Sequence, residues 1–456
     1  MARVLALLAR NDRFVTFRML SSIAVFLLVA ASYAQARVSD DGVVYYDFMR
    51  RLAGEDVRAH AYQFGVVFWN LPFYLVSRVV TTARGSDQIE NLSIGVISVT
   101  IASISAVVAI FYVAWRLLRD LGLRGGPGAI LLTVFGSPLF YYALFQPGLK
   151  HAFDALLATL LALLLLHASF RPTTTRLAVA IGLVLAVSIT VRYANITLLA
   201  GVLYVFLRQR APVMAYAASA TAVVGATAIL LLPLVLGVPY GLPPAPTAQL
   251  VRQSEQLVSF RVPLVVAAAA PQPAAGGNGV DDLGSFQLDV LAPAKMLFTV
   301  KRGLFVWTPL TLFGVIGYLL LMRRRPDLRT FLIGLGVSAL ALLLIHMVWG
   351  KAWEGGYSFS QRFLTSLFPV FVIGIAELLA RTRMLIAPVL VACVAWTAFL
   401  AVHHFYGYDN VSYRDGADRI VELYRTGEEN RHSFWHDRIS GPISRHWDAY
   451  FDQLGL

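Results

Sequence analysis

Charge is scarce in this sequence, and so are cysteine and lysine. Only 14% of its 456 residues are Asp, Glu, Lys or Arg, while 58% are hydrophobic and the mean hydropathy is +0.66. So little charge does not suit a soluble surface; the balance is that of a polytopic membrane protein. The single cysteine, Cys393, excludes an intrachain disulfide framework and any cysteine-based metal centre. The formal net charge of +12 raises the question of nucleic acid, and the placement of the charges answers it.

The apolar residues gather into eleven candidate spans, roughly at residues 14–34, 91–115, 128–146, 152–170, 177–191, 195–207, 213–236, 303–322, 330–349, 364–380 and 384–405. The pair around "VRYAN" is short, which suggests tilting or a bend inside the membrane. The first span is too long for a signal-peptide core and lacks a small-residue cleavage site, so it reads as retained.

Alternate connections collect arginine: Arg3, Arg10, Arg13 and Arg18; Arg116, Arg119 and Arg124; Arg171 and Arg176; Arg208 and Arg210; the "RRRPDLR" turn; Arg381 and Arg383. Positive-inside bias then places the N-terminus in the cytoplasm and the C-terminus outside. The excess positive charge is a topology signal, and no nucleic-acid partner is expected.

The other set of connections is long: about residues 35–90, 237–302, 350–363 and the tail from 407. All four lysines, Lys150, Lys295, Lys301 and Lys351, fall on that side. A bias of the chain towards arginine leaves few lysines to place, yet their one-sidedness also suits anion handling there.

Six stretches of this outer side carry chemistry. "SDDGVVYYD" offers Asp40 and Asp41, adjacent carboxylates at an apolar boundary. Partial desolvation raises carboxylate basicity, which suits a general base; Asp before Gly is equally an ordinary helix N-cap. The apolar, aromatic "YQFGVVFWNLPFYLVSRVV" is interrupted by Asn70 and Pro72 and reads as a helix lying along the outer surface, a landing platform for a lipid or simple packing against the bundle. "FQPGLKHAFDALL" sets Lys150 and His151 at the mouth between the third and fourth spans, with Asp154 a turn further in. Intramembrane ionisable residues suggest function, although Lys150 can snorkel and His151 can cap a helix. "SITVRYANIT" puts Arg192 at another outer turn, either a bidentate phosphate ligand or an interfacial anchor.

Later, "PAKMLFTVKRGLFVWTPL" carries Lys295, Lys301 and Arg302 against the positive-inside trend. "WGKAWEGGYSFSQRFLTSLFP" holds Lys351, Glu354, Gln361 and Arg362. Arg362 opens an apolar helix, a favourable place for an anion, or it pairs with Glu354 to close the loop. The Pro-, Ala- and Gly-rich part of the long loop is a mobile cover or a spacer.

Together these stretches resemble the bacterial multi-spanning glycosyltransferases of the GT-C fold, relatives of protein O-mannosyltransferases and of aminoarabinose transferases acting on lipid A. The likeness runs from the acidic pair with an aromatic four residues after Asp41 (Tyr45), through "FGVVFWNLPFYL", "SPLFYYALFQPGLKHAF" and "KRGLFVWTPL", to "WEGGYSFSQRFL". It covers most of residues 10–405 and is greatest with an uncharacterised bacterial branch.

The resemblance implies an all-α bundle of about eleven spans over residues 1–406, with outer-face helices and loops and a short tail at 407–456. It implies transfer of a sugar from a polyprenyl-phosphate-linked donor to an acceptor hydroxyl of a glycan, lipid or protein. The transfer is expected to invert the sugar and to take place on the extracytoplasmic face of the bacterial cytoplasmic membrane. Asp41 is the implied base, with Asp40 its neighbour or substitute, because relatives often carry Asp-Glu where this chain has Asp-Asp. Arg362, Lys301, Arg302, Arg192 and Lys150 are implied phosphate ligands, His151 a phosphate or acceptor ligand, and Tyr45, Lys351 and Glu354 further substrate contacts. The soluble-loop metal ligands of oligosaccharyltransferases are not apparent, so no required metal or other cofactor is expected. A secondary transporter or glycan flippase is the rival from another class, but such proteins place charges near the midplane. A polysaccharide ligase or polymerase is the third reading.

Overall fold

A computed structural model of the chain describes residues 41–57, 63–86, 92–123, 126–170, 174–238, 288–348 and 358–406, with 21, 23–27, 59, 88 and 89 besides. Asp40, Lys351, Glu354, the Pro- and Ala-rich part of the long loop and the tail from 407 lie outside the described residues, as does most of the first expected span.

The protein is an all-α, multi-pass membrane protein. Among the described residues seven helices are long and apolar enough to cross a bilayer, or eight if one bent pair counts as a span. In chain order the helices are α1 (Asp41–Leu52), α2 (Val67–Arg84), α3 (Ile94–Asp120), α4 (Gly126–Phe135), α5 (Pro138–Leu144), α6 (His151–Phe170) and α7 (Thr175–Val191). They continue as α8 (Leu198–Arg208), α9 (Pro212–Val235), α10 (Ala292–Phe298), α11 (Leu304–Trp307), α12 (Leu310–Arg324), α13 (Arg329–Ile345) and α14 (Phe368–Tyr406). A two-residue antiparallel ladder, β1 (Gln88–Ile89) with β2 (Leu92–Ser93), links α2 to α3.

Proline decides where expected spans break. The span expected at 128–146 is the pair α4–α5, bent by 71°. The bend falls where Ser137 is held extended (φ −121°, ψ 169°) in front of Pro138, because a residue before proline avoids the helical region. The same rule splits the span expected at 303–322: Thr308 leaves the helix before Pro309, so α11 is a single turn and α12 only 15 residues long. The pair expected to be short, α7 and α8, is so, joined by a 3₁₀ turn at Tyr193–Thr197. The spans expected at 364–380 and 384–405 are consecutive parts of α14, kinked at Thr382.

The helices close on one another through small residues. A Cβ at Gly374 of α14 would stand 1.7 Å from the Gly314 carbonyl oxygen of α12, and one at Gly317 would stand 2.1 Å from that of Gly374. Without a hydrophobic drive between helices in lipid, such backbone proximity supplies the packing.

The arginine-rich connections meet at one end of the bundle. There His167 of α6 lies 3.0 Å from Asp120 of α3, Arg324 and Arg381 both reach Glu377, and Gln209 donates to the Ala168 carbonyl. The connections that alternate in the sequence therefore lie together at one end.

The helix expected on the outer surface, α2, is long enough to cross a membrane by itself, but its neighbours put it elsewhere. Trp69 donates to the Ala102 carbonyl and stacks on Phe153, level with the first turn of α6, while Tyr74 lies beside Gly95. Moving along α2 thus means moving outward along the first turns of α3, beyond the end of α6. Its Leu75, Val76 and Val79 are exposed. Gly65, just before α2, presses on the end of α7, where a Cβ would meet Thr190 Oγ1 at 2.5 Å.

Candidate functional site

At the opposite end, the start of α6, the turn after α7 and the segment leading into α14 converge on a buried polar cluster. Asp154, fully buried one turn into α6, is its anchor. Its Oδ1 accepts from Asn195 Nδ2 at 2.7 Å; its Oδ2 lies 3.0 Å from Arg192 Nη1 and accepts from Ser366 Oγ at 2.9 Å and Thr365 Oγ1 at 3.2 Å. A carboxylate so deep in a bundle is tolerable only when paired and hydrogen-bonded on both oxygens, and this one is.

Arg192 sits where α7 ends. Its Nη1 also donates to the Phe363 carbonyl at 2.7 Å, and its Nη2 donates to the Arg362 carbonyl at 3.0 Å and to His151 Nδ1 at 2.8 Å. The guanidinium therefore pins the backbone of the Arg362 turn against α6. His151 packs on the ring of Tyr142, 4.1 Å between centres, and the Tyr142 hydroxyl donates to the Phe359 carbonyl at 3.0 Å. Arg362 and Arg302 are both within electrostatic reach of that hydroxyl, and Arg192, Arg362 and Lys150 within reach of His151.

Arg302, 2% exposed, lies over the Trp307 ring at 5.0 Å, with Lys301 partly exposed beside it. Trp307, Tyr141 and Phe359 pack together, the last two stacked at 4.7 Å. They form the aromatic floor beneath residues 358–361. On that floor Ser360 holds a left-handed backbone (φ 50°). The Ser360 hydroxyl and both amide atoms of Gln361 are buried with no hydrogen-bond partner among the described residues. Buried polar atoms in that state cost about 1–3 kcal/mol each, and non-glycine left-handed backbone gathers at ligand sites.

The first loop meets this cluster through Lys150. Its ammonium donates to Gln63 and stands 5.7 Å from the centre of the Tyr45 ring. Tyr45 is buried on α1, and Asp41 begins that helix one turn earlier, at the same register position. The rest of the loop is held by Glu55, which accepts from Tyr74 and from Arg50 Nε at 2.9 Å and has Arg78 at 3.5 Å. Burial pushes the Glu55 carboxyl up, but these two hydrogen bonds and the Arg50 and Arg78 charges outweigh it and leave its pKa lowered.

Of the residues singled out in the sequence, Tyr45, Lys150, His151, Arg192 and Arg362 are thus brought to one place, and Arg302 with Lys301 to its edge. Lys295 is elsewhere in its bonding, paired with Asp289 at 2.7 Å. Asp40, Lys351 and Glu354 are outside the described residues, so the expected Arg362–Glu354 pairing falls there too. Asp154, marked in the sequence as an ionisable residue a turn into its helix, takes partners that no motif indicates: Asn195, Thr365 and Ser366. The signal for Asp154 itself was "FDALL", an aspartate inside an apolar helix.

No protein-family model and no curated protein matches the chain. The solved structure of the archaeal oligosaccharyltransferase AglB from Archaeoglobus fulgidus, in complex with an inhibitory peptide and a dolichol-phosphate, is similar over 92% of this chain, with a TM-score of 0.40 and 12% identity. This chain spans 59% of that one's length. A likeness of that strength leaves the functional reading to the residues themselves.

Proposed function

We propose that the chain is a membrane glycosyltransferase that moves a sugar from a polyprenyl-phosphate-linked donor to an acceptor hydroxyl. The reaction takes place at the end that holds Lys150, Arg302 and Arg362, on the extracytoplasmic face of the bacterial cytoplasmic membrane, with inversion at the sugar. Asp41 or Asp40 removes the acceptor proton. Lys150, Arg362, Arg302 and Lys301 hold the phosphate as it becomes the leaving group, and Lys351 and Glu354 complete the substrate contacts from the neighbouring segment. No metal is required in this scheme, because side-chain cations supply the charge.

The observation that carries the reading is the contact of Lys150 with Gln63 and Tyr45. It brings the helix that begins at Asp41 against a cluster holding His151 and Arg362. A base and a group of cations on opposite sides of one site are what a displacement at the sugar carbon demands. Cations in a partly dry place act strongly on the developing phosphate charge. The negative charge of Asp154 does not cancel them, since Arg192 takes it up. The unsatisfied Gln361 amide and Ser360 hydroxyl supply both donors and acceptors, as the hydroxyls of a sugar would use.

Transfer of radiolabelled sugar from polyprenyl-phosphate donors by the purified protein tests the reading. Asp41→Asn or Asp40→Asn should lower the rate by about 10²–10⁴-fold, the usual worth of a general base. Intact transfer in both variants sinks the base assignment. Movement of lipid between leaflets without a new glycosidic bond would favour a transporter, and chain extension from a diphosphate donor a polymerase or ligase.

A further inference from the structure

We infer that Arg192 is a positioning residue and not a ligand of the donor phosphate: anchored by Asp154, it fixes the Arg362–Phe363 backbone and sets the tautomer of His151. In its catalytic meaning this rests on the glycosyltransferase reading; in its geometry it stands without it.

A guanidinium recognises phosphate through two parallel N–H groups. Arg192 has none to offer. Nη1 serves Asp154 and the Phe363 carbonyl, and Nη2 serves the Arg362 carbonyl and His151 Nδ1. Three of the five N–H donors a guanidinium carries are in hydrogen bonds, Nη1 also faces the Asp154 carboxylate at 3.0 Å, and Nε has no partner among the described residues. The side chain is 2% exposed, and its charge is balanced by Asp154 at 3.0 Å. To reach a phosphate it would abandon that carboxylate and two carbonyls in a buried place.

The same bond decides the chemistry of His151. A guanidinium only donates, so Nδ1 must accept, and the ring proton is on Nε2. The groups facing the ring agree. Lys150 precedes it, Arg192 and Arg362 stand across from it, the Arg362 carbonyl is the one acceptor within reach of the ring among the described residues, the Tyr142 ring covers it, and the oxygens of Asp154 are turned to Asn195, Arg192, Thr365 and Ser366. His151 therefore meets the substrate as a neutral group and is not one of the phosphate-binding cations. Lysine at position 192 could not reproduce this, since a point ammonium cannot span two carbonyls, a carboxylate and a ring nitrogen.

The test uses the full-length protein in nanodiscs, selectively ¹⁵N-labelled at histidine, with His151 assigned by His151→Gln. The wild type should show His151 as a single Nε2–H tautomer. In Arg192→Lys and Arg192→Gln the ring should populate both tautomers, while Arg362→Ala leaves it unchanged. Undecaprenyl phosphate added to the wild type to saturation should leave the Nδ1 signal where it was.

A His151 signal indifferent to both Arg192 substitutions overturns the inference. So does an Nδ1 signal that loses its donor when the lipid binds, for then Arg192 has moved to the phosphate. If the Arg192 variants do not fold, Ser366→Ala and Thr365→Val loosen the Asp154 anchor more gently, and the same change of His151 is expected in part; its absence in both counts against the inference. Failure of undecaprenyl phosphate to bind at all sinks the glycosyltransferase reading and leaves the tautomer result to decide this one.

Discussion

The ammonium of Lys150 stands 5.7 Å from the centre of the Tyr45 ring and donates to Gln63, so one cation ties the mouth of α6 to two separate parts of the first loop. Lys150→Gln removes the charge and keeps a polar group. The affinity for undecaprenyl phosphate should fall about tenfold, the value of one charge-assisted contact of about 1.4 kcal/mol. Binding measured in nanodiscs at fixed ionic strength decides it; an unchanged affinity would confine Lys150 to holding the loop.

Gln361 carries an opposite pair of effects. Its amide is buried without partners among the described residues, so Gln361→Met should raise stability by about 1 kcal/mol by removing unsatisfied polar atoms of similar volume. Sugar transfer by the same variant should fall. Thermal unfolding in detergent and the transfer assay, run together, check both halves; a variant that loses stability shows that the amide has a role in the fold.

Asp154 is the structural keystone of the cluster. Asp154→Asn keeps the shape but leaves the Arg192 charge uncompensated in a buried place, which costs about 3–5 kcal/mol. A large drop in unfolding temperature is expected. The double substitution Asp154→Asn with Arg192→Met should recover part of the stability lost, without recovering transfer.

Glu55 makes the docking of α1 on α2 depend on pH. Its pKa is lowered in the folded state, so its contribution is present above the ordinary carboxylate range and is lost as pH falls through that lowered value. Glu55→Gln should destabilise the first loop by roughly 1 kcal/mol near neutral pH, a figure discounted for partial solvent exposure. The difference from wild type should vanish in acid. Hydrogen exchange of residues 41–57 as a function of pH is the measurement.

Gly374 and Gly314 set how closely α12 and α14 approach. Gly374→Ala places a methyl 1.7 Å from the Gly314 carbonyl oxygen if nothing moves, so the helices must part. Overpacking of this kind costs about 1–3 kcal/mol, readable as lowered thermal stability in detergent.

The membrane class, the meeting of alternate connections at one end and the approximate course of most helices were legible in the sequence because each depends on local properties. Apolar runs of sufficient length, arginine in alternate turns and proline as a breaker act within one or two turns of the chain. Even the broken spans carried their cause, in "GSP" and "WTP", although the hydropathy alone smoothed over them. The expected count of eleven full spans was less secure for the same reason: apolar composition marks a segment for the membrane without fixing whether it stays one straight helix.

The site divides along the same line. Residue type alone marked Lys150, His151, Arg192 and Arg362 as cations or donors near one face, since charge at the edge of an apolar helix is visible in any sequence. Their division of labour was not visible. Whether Arg192 faces a substrate or Asp154 depends on how α6 packs on α7 and how the segment before α14 folds back between them, a matter of helix faces and close backbone approach. The sequence by itself determined that this protein lives in a membrane and sets ionisable groups at the ends of its apolar helices. Only the tertiary structure decided which of those charges neutralise each other and which are turned towards the mouth, because a buried charge takes its partner from whatever the packing brings within 3 Å.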